Sequence, residues 1–135
     1  MNRKIVSGFV AVLLVTPSLW AHHSFSTVFD LSKKTTVTGT LTKIDWRNPH
    51  IQIFLQTKDD RGQAEVWVLD GMLPSWFRLR NVNKSDFEKA IGQPVKVEGA
   101  RAKDGTLYML MQQVTFSAGN SVTASDFQFR TGAGQ

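Results

Sequence analysis

The stretch Asp45-Trp46-Arg47-Asn48-Pro49-His50 constrains this chain more than any other. A β-prone segment, Thr35 to Trp46, runs into it, and a second, His50 to Thr57, runs out. Pro49 has no backbone N–H and biases Asn48 away from the helical region, so regular pairing must break between the two segments. The first segment carries a further mark. Val37, Gly39 and Leu41 share one parity, whereas Ile44 and Trp46 share the other. A phase change inside one long strand predicts a bulge or sharp bend, and Gly39 permits close backbone approach there.

The elements after the break follow from the same patterning. Ile51, Ile53 and Leu55 alternate with His50, Gln52, Phe54 and Gln56, so the first set is expected to face a core and His50 to face away from it. Lys58 to Gly62 reads as a charged hairpin loop, and Ala64 to Asp70 as a third strand. Leu73 to Arg80 resembles one or two helical turns, with Pro near the start. Ser85 and Glu88 fit a capping box for a helix over 85–91, stopped by Gly92. Gln93 to Ala100 and Thr106 to Phe116 read as strands four and five. The unbroken apolar run Leu107 to Met111 predicts burial on both faces. The order predicts an all-β domain with one helix: a five-stranded antiparallel OB-fold-like barrel, helix between strands 3 and 4. A simple antiparallel α+β sheet is the alternative.

The ends of the chain read differently. Asn2-Arg3-Lys4 followed by the apolar Ile5 to Thr16 and a small residue, Ala21, has the form of a cleaved Sec-type signal peptide, with an uncleaved anchor as the alternative. The expected organisation is a signal peptide over 1–21, an N-terminal arm over 22–34, a barrel over 35–116 and a flexible Gly- and Ser-rich tail over 117–135. The expected address is the periplasm or beyond, with no membrane span after cleavage. Removing Arg3 and Lys4 lowers the formal charge from +5 to +3. That excess does not call for nucleic acid. The chain has no cysteine, hence no disulfide and no thiolate ligand.

Three histidines carry what chemistry the sequence offers: His22, His23 and His50. If cleavage follows Ala21, the α-amine and imidazole of His22 chelate one metal together, and His50 adds a third nitrogen, with His23 a further candidate. Such nitrogen donors suit copper or another divalent transition metal. If cleavage falls one residue earlier, His23 stands third after a free amine, which is also a copper-binding pattern. Asp30 is a candidate outer-shell orienter or oxygen ligand, and Asn48 a candidate outer-shell group. Met72, Met109 and Met111 sit at strand-like spacing and read as core filler rather than soft ligands.

A binding module of another kind is the alternative. Trp46, Arg47, Gln52, Phe54 and Trp67 are candidates for a ligand face that takes a small molecule, a glycan or a protein partner. No nucleophile elbow, phosphate loop or cysteine nucleophile points to an enzyme.

The chain also resembles an uncharacterised family of secreted bacterial proteins. The resemblance rests on Ala21-His22-His23-Ser24-Phe25, on Phe29-Asp30, on the strand around Gly39 and on Trp46-x-Asn48-Pro49-His50, and spans roughly residues 21 to 116. It implies secretion and gives weight to the two histidine motifs, and it supplies no activity.

Overall fold

The structure, a computed structural model, describes residues 25–129. The proposed leader, His22 and His23 lie outside the described residues, as do residues 130–135. The two segments flanking the break become β1 (Phe29–Asp45) and β2 (Gln52–Lys58), and the Asn48–Pro49 peptide bond is cis. They are followed by β3 (Ala64–Asp70), two short helices α2 (Pro74–Arg78) and α3 (Lys84–Glu88), β4 (Pro94–Ala102), β5 (Tyr108–Phe116) and β6 (Ser121–Thr123). A single helical turn, α1 (Phe25–Val28), precedes β1.

The strands lie in the order β3-β2-β1-β4-β5, and a parallel pairing of β3 with β5 closes the ring. The result is a closed five-stranded barrel of the expected OB-like kind, antiparallel everywhere but at the closure. β1 serves two neighbours: its first half pairs with β4 and its second with β2. The change of neighbour demands a coil in the strand, and two local features supply it. The register slips between Leu41 and Lys43, so Thr42 is the extra residue that inverts the parity of Ile44 and Trp46. At Gly39 a Cβ would stand 2.6 Å from the carbonyl oxygen of Gln56, so only glycine lets β2 approach so closely.

Leu41, Ile51, Ile53, Leu55, Leu69, Val97, Met109 and Met111 are fully enclosed in the barrel core. The helices close one end, where Phe77, Phe87 and Trp46 form an aromatic group with ring centroids 5.3–5.9 Å apart. α2 ends in a Schellman motif: Asn81, at φ 56°, donates to Arg78 and Val82 donates to Phe77. The cap of α3 lies two residues before the expected Ser85. Asn83 is its N-cap, and its N–H donates to the Asp86 carboxylate at 2.8 Å. Asn caps as well as Ser, and the Asn83–Asp86 pair starts the helix earlier.

A second, smaller apolar cluster lies outside the barrel: Phe29, Ala100, Ala102, Leu110 and Phe127, with Phe25, Leu31, Tyr108 and Phe129 packed on it. Both ends of the described chain contribute, and both depart from expectation. The N-terminal arm is not extended throughout. Phe25–Val28 coils into a turn because Lys103 ties its carbonyls, Nζ donating to Ser26 and the backbone N–H to Val28. The segment after Phe116 is not a featureless tail. β6 pairs with residues 113–115 of β5, on the edge that β3 leaves vacant beyond residue 110, and Val122, Ala124, Ser125 and Phe127 are buried. An uncovered strand edge is a liability, and β6 covers this one. Among the described residues no helix is long and apolar enough to cross a membrane.

Deleting residues 117–135 should therefore cost about 3 kcal/mol or more, the usual loss for removing even one buried Phe. Urea denaturation should show a clearly lower midpoint, and an unchanged midpoint would mean that the segment contributes nothing.

Candidate functional site

His50 leaves the turn just ahead of β2, while its neighbour Ile51 is drawn into the core. Its side chain is 36 % exposed. The imidazole Nδ1 lies 3.1 Å from Oδ2 of Asp70, the last residue of β3. The register explains the meeting. The β2–β3 hairpin pairs Gln52 with Asp70, so Asp70 faces outward beside Gln52, which lies two residues past His50 and on the same side of the sheet. Closure then adds a third group: Val68 pairs with Tyr108, and the Tyr108 hydroxyl donates to the same Oδ2 at 3.1 Å.

Asp70 thus sits on the outer face of the barrel, yet its side chain is only 7 % exposed. Tyr108 and the second apolar cluster cover that face of the barrel. Phe29 packs on Tyr108 with ring centroids 5.1 Å apart, and Phe25 stands 6.1 Å from the His50 ring. The other carboxylate oxygen, Oδ1, is buried with no hydrogen-bond partner among the described residues. A carboxylate accepts, so the pairing places the imidazole proton on Nδ1 and leaves the Nε2 lone pair free. Burial first, then the Asp70 charge and the hydrogen bond to it, push the Tyr108 hydroxyl well above the ordinary phenol range. Tyr108 therefore stays a donor at any physiological pH.

The other sequence candidates lie elsewhere. Asp30 accepts from the backbone N–H and the hydroxyl of Ser32, and that hydroxyl is the main reason its pKa is lowered. Asn48 is exposed, and the ring nitrogen of His50 pairs with Asp70. The proposed ligand face is divided between two sides of the sheet. Trp67 is buried on the core side and Trp46 packs against the helices. Gln52 and Phe54 belong to the outer side, where Lys43 lies 4.8 Å above the Phe54 ring. Arg47 is exposed and paired with Asp45 at 2.7 Å. Met109 and Met111 are core residues, as expected. Among the described residues no group of three or more His, Cys, Asp or Glu stands close enough to hold a metal by itself.

Asp70 was legible in part. The hairpin from Lys58 to Ala64 fixes a register that carries Asp70 opposite Gln52, so counting back from the loop reaches it. Tyr108 gives no such signal, because its contact depends on closure between strands far apart in sequence.

The fold and the site define a small OB-like barrel with a surface histidine oriented by a buried carboxylate. The chain belongs to a family of unknown function, DUF6152, whose sequence pattern matches residues 11–111. That span includes all three histidines, Asp70 and Tyr108. Comparison with curated proteins and with solved structures returns no match.

Tyr108 is the only tyrosine, so its ionisation can be followed directly. Because the fold favours the neutral phenol, the associated stability is complete below about pH 10, where an unfolded tyrosine titrates, and declines as pH rises further. Tyrosinate absorbance of the native protein should lag behind that of the urea-unfolded protein. Asp70→Asn should move the native titration down. An ordinary titration in the native parent would contradict the buried hydrogen bond.

Proposed function

We propose that this is an exported, periplasmic protein that binds copper, or another late divalent transition metal, through His50 and the histidines at its mature N-terminus. His50 Nε2 is one ligand. His22, with its α-amine after cleavage at Ala21, supplies two more nitrogens, and His23 is a further candidate. The observation that carries the reading is the Asp70 carboxylate on His50 Nδ1. Ligating histidines characteristically donate their other ring N–H to a carboxylate, which fixes the tautomer and raises the basicity of the ligating nitrogen.

Two further features support it. Phe25 stands against His50, and His22 precedes Phe25 by three residue steps, a span of about 10 Å at full extension. The proposed donors are all nitrogens, which suits Cu(II), while the Met109 and Met111 sulfurs are sealed in the core.

Competition titration of the mature protein with Cu(II) against a chromophoric chelator should reveal one site. His50→Ala should abolish it, and Asp70→Asn should weaken it by about 10- to 100-fold. An extra residue before His22 should also weaken it, since the amine is displaced. Affinity should fall as pH drops through the imidazole range, because each nitrogen must lose its proton to coordinate. Binding by His50→Ala as tight as that of the parent would overturn the site.

A further inference from the structure

The β4–β5 register slips between Glu98 and Gly99, where Glu98 pairs with Gln113 but Gly99 with Met111. Gln112 is the extra residue of this bulge, and such residues are freed from the ladder to face other partners. Gln112 holds the C-terminal segment twice: its carbonyl accepts from the Ala124 N–H at 2.8 Å, and its side-chain amide donates to the Phe127 carbonyl at 3.0 Å. Between these points the buried Ser125 hydroxyl donates to the Met111 carbonyl. Ala124 in turn accepts from the Met72 N–H at 3.0 Å, and the Met72 carbonyl accepts from the Ile51 N–H at 3.1 Å. Gly71, beside Met72, donates to Ile51 as well.

An unbroken backbone path therefore runs from the C-terminal segment through residues 71–72 to residue 51. Residues 71–72 directly follow Asp70, and residue 51 directly follows His50. Phe127 completes the hold from the other side, packed in the apolar cluster that includes Tyr108.

We propose that residues 124–127 are a positioning clamp for the His50–Asp70 pair. The clamp holds both strand ends at the separation their hydrogen bond requires, and its release loosens the site. This rests on the metal-binding reading for its functional consequence, and on the backbone path alone for its structural one.

The test compares the mature parent with a Ser125→Ala/Phe127→Ala double variant and with the conservative Phe127→Leu. Amide hydrogen exchange reads the clamp without metal. In the double variant the Met72 and Ile51 amides should exchange at least about tenfold faster, while β4 amides between β1 and β5 keep their protection. Cu(II) affinity should drop by about tenfold, as for loss of an outer-shell support, and Phe127→Leu should restore most of it. If the double variant does not fold, Phe127→Ala alone gives the same comparison. A parent that binds copper through His50, beside a variant with unchanged affinity and unchanged Met72 exchange, overturns the clamp and leaves the metal reading standing. A parent that binds no copper overturns the metal reading. Faster exchange confined to Met72 and Ile51 then upholds the clamp as the frame of the pair, and unchanged exchange overturns it.

Discussion

Three residue pairs close this barrel: Val68 with Tyr108, Leu69 with Met109 and Asp70 with Leu110. Partners in a parallel ladder point to the same side of the sheet. Leu69 and Met109 therefore enter the core together, while Asp70, Leu110, Val68 and Tyr108 are turned outward. The outward set is a problem of its own, since it presents both apolar surface and a carboxylate on the outer wall. The two ends of the described chain solve it. The turn at Phe25–Val28 and the segment around Phe127 lie over Leu110 and Tyr108 as a second cluster. Closure, cover and site are thus one structural event rather than three.

The carboxylate under that cover is expensive. Removing an ionised group from water costs several kcal/mol unless hydrogen bonds compensate. Asp70 receives two donors, both on one oxygen, and the other oxygen is left without a partner among the described residues. An apolar residue at this position would serve the barrel as well or better, because replacing buried ionic groups by well-packed apolar ones is often neutral or stabilising. In return the carboxylate orients the His50 ring and accepts the Tyr108 hydroxyl.

Much of this was legible in the sequence, for definite reasons. The parity change in β1 marked the bulge at Thr42, because a period of two cannot hide an inserted residue. Alternation in β2 separated Ile51, Ile53 and Leu55 from His50, and the run Leu107–Met111 marked a strand covered on both faces. The illegible parts depend on distant partners. Residues 121–129 have no apolar periodicity of their own, and they dock because β5 offers a vacant edge and Gln112 offers a free carbonyl and amide. The helix cap moved to Asn83 because two overlapping capping patterns compete and the sequence alone does not rank them. Asp70 and Tyr108 meet only once the ring is closed.

The cover also bears on how the proposed site could hold a metal with so few groups. A flexible arm that must be ordered on binding opposes it by about 1–2 kcal/mol per residue. An arm free from residue 22 through residue 28 would oppose chelation by roughly 7–14 kcal/mol on that scale. Here residues 25–28 are already fixed. Phe25 rests against His50, Lys103 ties the turn through two carbonyls, and Phe29 is locked into β1 and the second cluster. If a metal orders only residues 22–24, the opposing entropy falls to roughly 3–6 kcal/mol. With Phe25 fixed, a chain that began at His22 would have its first residue within about 10 Å of Phe25. If the proposed site forms, apolar packing on the outer wall does for it what additional ligands do elsewhere: it fixes residues 25–28 before the metal arrives.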